Sequence, residues 1–352
     1  MRVGFGGRYI RGVFFGIDRQ ICHQRPKTEN LIMTRPYENT TSGMTRRSFL
    51  AAGSATIVAS QLLHSPWVWG AESGPLHVAT NFYPWLTFYR RENRDFNADL
   101  DASLGEVAAA GLNGFESGLN SPEDVDRLSP FLKKHGLELR SFYVNAVMHE
   151  PEAAEKSIAQ VLTVAEKAHN VMATRIVVIN PSPLSWNREA PNPGKNDAQL
   201  ETQAKALDQL GAALRERGMQ LAYHNHDMEL RNAAREFHHM MLATKPENMG
   251  LCLDAHWIYR GSGNSQVALF DVVKLYGSRV CELHLRQSKD GIWTEAFGEG
   301  DIDYPRLARE LAALGVRPHL VLEQAVEQGS PNTMNAVEAH RRGVEYVRKL
   351  FS

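Results

Sequence analysis

Cysteine is scarce in this 352-residue chain: Cys22, Cys252 and Cys281 are the only three, and no two stand at CxxC spacing. A disulfide framework and a zinc ribbon are therefore excluded, and stability has to come from packing. An excess of either charge is also missing. With 39 Lys and Arg against 40 Asp and Glu the formal charge is -1, which provides no general attraction to polyphosphate and argues against a nucleic-acid partner. No GxGxxG or GxxxxGK(S/T) follows the first predicted strand, so the usual nucleotide sites of an open doubly wound sheet are absent. The apolar run from Phe49 to Leu63 has 15 residues and includes Gly53, Ser54, Thr56 and Ser60, short of the ~20 that a spanning helix needs. What is present, 43% apolar, 22% charged and 9% aromatic residues, is the composition of a globular protein with a core.

That short apolar run follows Arg46-Arg47-Ser48-Phe49-Leu50, a pattern that resembles a twin-arginine export signal. The expectation is a leader over residues 1–71, cleaved near Ala71, with residues 1–43 a misassigned extension ahead of a true start at Met44. The mature protein would then be periplasmic and hold no stable membrane span. Processing there leaves 281 residues, about the size of one α/β barrel.

From residue 72 onward, β-rich runs alternate with longer amphipathic ones. Strands are predicted to begin near Leu76, Gly114, Glu138, Thr174, Met219, Met249, Val280 and His319. Helices are predicted over 99–110, 123–135, 151–169, 198–217, 233–243, 266–276, 304–314 and 332–350. Gly136, Gly218, Gly277 and Gly315 fall just past helix ends, where a left-handed residue is wanted. Eight strand-helix units imply a parallel sheet, and eight strands are enough to close it into a single (β/α)₈ barrel, the TIM barrel.

In such a barrel the chemistry sits at the C-terminal strand ends. The fifth strand ends Tyr223-His224-Asn225-His226-Asp227, the sixth Asp254-Ala255-His256, the seventh His284-Leu285-Arg286 and the eighth Glu323-Gln324. His224, Asp254, His284 and Glu323 are separated by 30, 30 and 39 residues, about one βα unit each, so the four can converge. Two imidazoles and two carboxylates suit a borderline divalent ion such as Mn²⁺, Co²⁺, Zn²⁺ or Fe²⁺. By strand alternation His224 and His226 share a face, as do Glu282 and His284, while Cys281 points away from the side of Cys252. Both cysteines read as small buried apolar residues.

YHNHDMEL from Tyr223, LDAHW from Leu253, ELHL from Glu282, GEGDIDYPRL from Gly298 and LVLEQ from Leu320, in that order, resemble the sugar-phosphate isomerase/epimerase superfamily. These are the xylose-isomerase-like barrels that include inosose dehydratase and ketohexose 3-epimerases. The resemblance covers residues 76–350 and is strongest over 219–324. It implies one divalent ion held by His224, Asp254, His284 and Glu323, with His226 facing the substrate. The chain departs from the pattern in two places: His224 stands where ketohexose epimerases have one of their two glutamates, and Arg286-Gln287 replaces a frequent Lys-Asp. His224, His226 and Glu229 all remain open as the fifth-strand ligand.

The resemblance implies a metal-dependent isomerase, epimerase or related lyase acting on a sugar, keto-sugar or cyclitol. Glu323 and His226 are the expected proton carriers. Glu116 at the end of the second strand, Trp257 and Arg286 are the expected substrate contacts, and the loop 181–196, with four prolines, is a lid candidate. Two rivals are a non-catalytic sugar-binding barrel and the apurinic-endonuclease branch, the latter disfavoured by the near-zero charge. The oligomeric state stays open.

Overall fold

The computed structural model describes residues 76–187 and 194–352. Cys22, the twin-arginine segment with Arg46 and Arg47, and residues 188–193 of the proline-rich loop lie outside the described residues. Within them, eight parallel strands close into a barrel in sequence order: β1 (Val78–Asn81), β2 (Gly114–Gly118), β3 (Ser141–Ala146), β4 (Ile176–Pro181), β5 (Gln220–His224), β6 (Met249–Asp254), β7 (Val280–Leu285) and β8 (His319–Leu322). β8 returns to pair with β1 through Val78 opposite Leu320, which completes the closure. β4, β6 and β7 are buried at every position, as strands covered on both faces must be, and they accordingly read as nearly continuous apolar runs.

The outer helices are α1 (Phe82–Arg91), α2 (Leu100–Ala109), α3 (Pro122–Lys134), α4 (Pro151–Met172), α5 (Asp197–Glu216), α6 (Arg231–Ala243), α7 (Ala255–Gly261), α8 (Gln266–Tyr276), α9 (Tyr304–Ala313) and α10 (Ala336–Phe351). Their starts are chemically marked. Asn196 and Gln199 cap α5 reciprocally, side chain to backbone N–H at 2.9 and 3.1 Å, and Pro122 opens α3 at a position whose missing N–H costs nothing. Apolar side chains between barrel and helices form one large core that includes Trp85, Phe88, Leu207, Phe237 and Leu307.

Several expectations are corrected. α1 and α7 were not predicted: each begins on the residue after a strand, because Asn81 and Asp254 end a strand and also cap the helix, accepting from Tyr83 N and Trp257 N at 2.8 Å. α10 starts at Ala336 rather than 332, with Asn335 as its cap. The helix expected from Ala233 meets left-handed backbone at Asn232, Ala233 and Ala234. Gly136, Gly218 and Gly315 have the positive φ expected after a helix, whereas Gly277 stays right-handed and opens a 3₁₀ turn, Gly277–Arg279.

Cys252 and Cys281 are buried and free, as expected, but Cys281 does not point away from the side of Cys252. Between Leu251 and Cys252 the pairing with β7 shifts, Leu251 opposing Val280 and Cys252 opposing Glu282. The extra residue is Cys281, and the bulge turns it inward. Cys252 and Cys281 therefore join Ile176, Val178 and Ala222 in one cluster, both buried and unbridged. A side chain at Gly250 would lie 2.6 Å from the Cys281 sulfur, so only glycine accommodates the bulge.

Candidate active site at the barrel mouth

Strand closure brings together the four residues at the ends of β5 to β8. His224, Asp254, His284 and Glu323 are each buried, and each offers a ligand atom within 4.8 Å of the others. His224 Nε2 lies 3.9 Å from Asp254 Oδ2 and 4.0 Å from Glu323 Oε2, and His284 Nδ1 lies 2.8 Å from the same Glu323 oxygen. Asn225 fixes the end of β6, exchanging hydrogen bonds with the backbone N–H and carbonyl of Asp254 at 3.2 and 3.1 Å. Asp254 Oδ1 is used in capping α7, which leaves Oδ2 without a hydrogen-bond partner.

Both ring nitrogens of His224 likewise lack a hydrogen-bond partner. Buried polar atoms are normally satisfied, and several such atoms converging on one point mark a place meant for something else. Burial holds the His224 imidazole well below its usual pKa, helped by His226 and His284, which keeps it neutral and able to ligate. Burial also raises the Asp254 carboxyl to about 7, against the pull of Arg286. On Glu323, burial works upward but Arg286 and His284 outweigh it, holding that carboxyl below the ordinary range. Unpartnered His224 nitrogens, a free Asp254 oxygen and two further donors form a mixed N/O set that fits a divalent ion.

Above this cluster opens a cleft of about 520 Å³ whose walls include Tyr143, Trp186, His226, Trp257, Arg286 and Trp293. Arg286 is 1% exposed. Its Nη2 pairs with Glu323 Oε1 at 2.8 Å and its Nε donates to the Glu323 carbonyl at 3.0 Å, while Nη1, 3.9 Å from Asp254 Oδ2, has no hydrogen-bond partner. The guanidinium lies against the rings of Trp293 and Trp257 at 4.5 and 5.1 Å, a cation held over π faces. His226 stands past the end of β5, its ring 4.7 Å from that of His224.

The expected substrate contacts divide. Trp257 and Arg286 line the cleft. Glu116 is instead buried below the cluster, where it accepts from Asn81 Nδ2 at 2.6 Å and Ser141 Oγ at 2.9 Å and lies 3.2 Å from His284 Nε2. β2 runs two residues past Glu116 to Gly118, so Glu116 is a mid-strand residue buried in the barrel interior and not a strand-end residue facing the cleft. Glu229 is 2% exposed and accepts from His226 N at 2.8 Å and Asn180 Nδ2 at 3.2 Å. It is outside the four-residue cluster, and burial raises it to about 7.

Trp293, Tyr143 and Glu282 were missed as site residues. Trp293 lies in a two-residue antiparallel ladder, Ser288–Lys289 with Ile292–Trp293, where it pairs with Ser288 and no periodicity marks it. Tyr143 lies mid-strand in β3. Glu282 did carry a signal, the face it shares with His284.

A closed parallel barrel with a buried His/carboxylate cluster at its C-terminal rim defines a TIM barrel whose rim residues suit a divalent ion. The sequence profile of the xylose isomerase-like TIM barrel family matches residues 104–350, and the chain belongs to that family. Among curated relatives, the inosose dehydratase of Clostridium perfringens (strain 13 / Type A) is 26% identical over 277 residues, covering 71% of this chain and 89% of that protein. The inosose dehydratase of Mesomycoplasma hyopneumoniae (strain 7448) is 25% identical over 286 residues, covering 72% and 89%. Similar folds include a sugar phosphate isomerase/epimerase from Parabacteroides distasonis, with TM-score 0.59, 15% identity and coverage of 81% and 97%. A D-allulose 3-epimerase from Methylomonas sp. gives TM-score 0.60 with 14% identity and coverage of 78% and 97%.

Proposed function

We propose that this protein is a divalent-metal-dependent isomerase, epimerase or dehydratase acting on a sugar, keto-sugar or cyclitol by proton transfer beside a carbonyl. The observation that carries this is the convergence of four buried ligand atoms at one point, with His224 and Asp254 holding atoms that bond nothing else. His224, Asp254, His284 and Glu323 would hold the ion. Once bound, it supplies Lewis acidity to a carbonyl and neighbouring hydroxyl.

The remaining work falls to side chains. Glu323 and His226 face the cleft and are the proton carriers, one removing a proton next to the carbonyl and one returning it. Arg286 offers Nη1 to a substrate oxygen, and Trp257 and Trp293 offer apolar faces to a sugar ring. The similarity to inosose dehydratases makes an inosose the first substrate to test, with keto-hexoses next.

Turnover of the Mn²⁺- or Co²⁺-loaded protein in D₂O tests the chemistry. A side-chain carrier exchanges its proton with solvent, so deuterium should appear at the carbon beside the carbonyl, and Glu323→Gln should abolish the labelling. Conversion without label would exclude proton transfer. One observation favours a second reading, a sugar-binding barrel without turnover: Arg286 occupies Glu323 Oε1, competing with an ion for that carboxylate. Sugar binding with neither bound metal nor conversion would establish it.

We also propose export by the twin-arginine route, on the strength of Arg46-Arg47 before the apolar run. Replacing both with Lys should retain the precursor in the cytoplasm, and unchanged export would refute the signal.

A further inference from the structure

His284 is fully buried between two sets of acids. Its Nδ1 faces up, 2.8 Å from Glu323 Oε2 in the rim cluster. Its Nε2 faces down into the barrel, 3.0 Å from Glu282 Oε1 and 3.2 Å from Glu116 Oε1. A neutral imidazole has one donor and one acceptor nitrogen, and which is which depends on the partner each nitrogen meets. A ring meant to present a lone pair at Nδ1 therefore needs an acceptor waiting for the proton on Nε2.

We propose that Glu116 and Glu282 are positioning residues beneath the metal centre: together they take the Nε2–H of His284, fix its tautomer and plane, and thereby aim Nδ1 at the ion. This rests on the metal-centre reading above, and adds to it the residues that set the ligand's orientation. Neither carboxylate touches the cleft, so neither is a catalytic residue.

The supporting frame is itself braced. Glu116 is gripped at both oxygens, by Asn81 Nδ2 at 2.6 Å and Ser141 Oγ at 2.9 Å. Asn81 is held in turn by its cap on α1. Three strands, β1, β2 and β3, thus fix the carboxylate that meets a histidine of β7 across the barrel. Glu282 comes from β7 itself, two residues before His284 on the same face, with Cys252 Sγ 3.7 Å from its Oε1. Glu116, Glu282 and His284 also lie close enough to be a ligand set of their own. The hydrogen-bond reading is preferred because Asn81 and Ser141 already use the Glu116 oxygens, and both approaches to Nε2 are ordinary hydrogen-bond lengths.

The test uses the full barrel, with Co²⁺ alone as the probe and calorimetry and the cobalt visible spectrum as readouts. The wild type should bind one ion per chain. Glu116→Gln and Glu282→Gln should each weaken Co²⁺ by about 10- to 100-fold, as loss of a partner behind a ligating histidine does, and should shift the cobalt spectrum while circular dichroism stays unchanged. In the metal-free wild type, the His284 Nε2–H should give a downfield, slowly exchanging ¹H–¹⁵N signal, a readout that needs neither a variant nor an ion. Folded variants with unaltered Co²⁺ affinity would overturn the positioning role while leaving the metal centre intact. So would absence of the Nε2–H signal. Two ions per chain, falling to one in Glu116→Gln, would overturn it in favour of a second metal site. A wild type that binds no Co²⁺ would instead bring down the metal-centre reading itself.

Discussion

The two ends of β7 each bury an arginine among polar groups, and they do opposite things with it. At the entrance to the strand, Arg279 is 8% exposed and every guanidinium nitrogen is engaged. Nε and Nη2 donate to the Met249 carbonyl at 3.2 and 2.6 Å, Nη2 to Thr244 Oγ1 at 2.9 Å, and Nη1 to the carbonyls of Thr244 and Met241. At the exit, Arg286 is buried more deeply, yet its Nη1 lacks a hydrogen bond, as do His224 and Asp254 Oδ2 beside it. Burial of charge is common to both. What separates a structural clamp from a working site is the set of atoms left unsatisfied, since an orphaned buried polar group costs about 1–3 kcal/mol and persists only where something offsets it.

The largest effect is expected at His284. Simple truncation to Ala would also strand Glu116 and Glu282 below it, so His284→Gln, which leaves a donor for them, is the better probe. We expect it to lower metal affinity by more than about 100-fold, because losing a ligand should exceed the 10–100-fold cost of losing an outer partner, and to abolish turnover with the fold intact. Metal titration of the folded variant decides it: full retention of the ion would show that the exit cluster is no more a binding site than the entrance one.

Arg279→Met supplies the opposite expectation. It strips donors from the Met241, Thr244 and Met249 carbonyls and should cost about 3 kcal/mol of stability, measured by urea unfolding, while leaving metal stoichiometry unchanged. A variant that unfolds no more easily but loses its ion would mean that the two ends are coupled and that Arg279 serves the site rather than the fold.

How much of this division was legible in sequence depends on which physical signal each residue carries. His224, Asp254, His284 and Glu323 were visible because strand ends recur at βα-unit spacing and closure brings such ends to one rim. The left-handed backbone at Ala233 and the bulge at Cys281 were not, since neither departs from helical or alternating pattern in residue type. α1 and α7 were hidden because Asn81 and Asp254 serve two elements at once, so the strand pattern ran on through them. Depth was the other blind spot. Glu116 reads as a strand-end residue in sequence, but β2 continues to Gly118 and leaves it mid-strand in the barrel interior, whereas Glu323 follows the last residue of β8 and reaches the cleft; residue type alone does not mark where a strand stops.

Glu229 lies between the two classes and gives the smallest expected effect. Its carboxylate is satisfied by His226 N and Asn180, which makes it look structural, but burial raises its pKa from 4.5 to about 7. A carboxyl whose folded pKa is raised contributes stability that is fully present below pH 4.5 and is lost as the pH climbs through about 7. The wild type should therefore lose about 2–3 kcal/mol from this group across that window. Glu229→Gln carries no proton to lose, so its stability should be flatter over the same range, and the difference between the two proteins in urea unfolding at pH 5 and pH 8 isolates the contribution of this one residue. Turnover at pH 7 should change less than about fivefold, roughly 1 kcal/mol, if the residue only braces the His226 backbone. A parallel pH slope in both proteins would remove Glu229 from the stability argument, and a loss of turnover as large as that of Glu323→Gln would move it across the line, from the satisfied groups to the working ones.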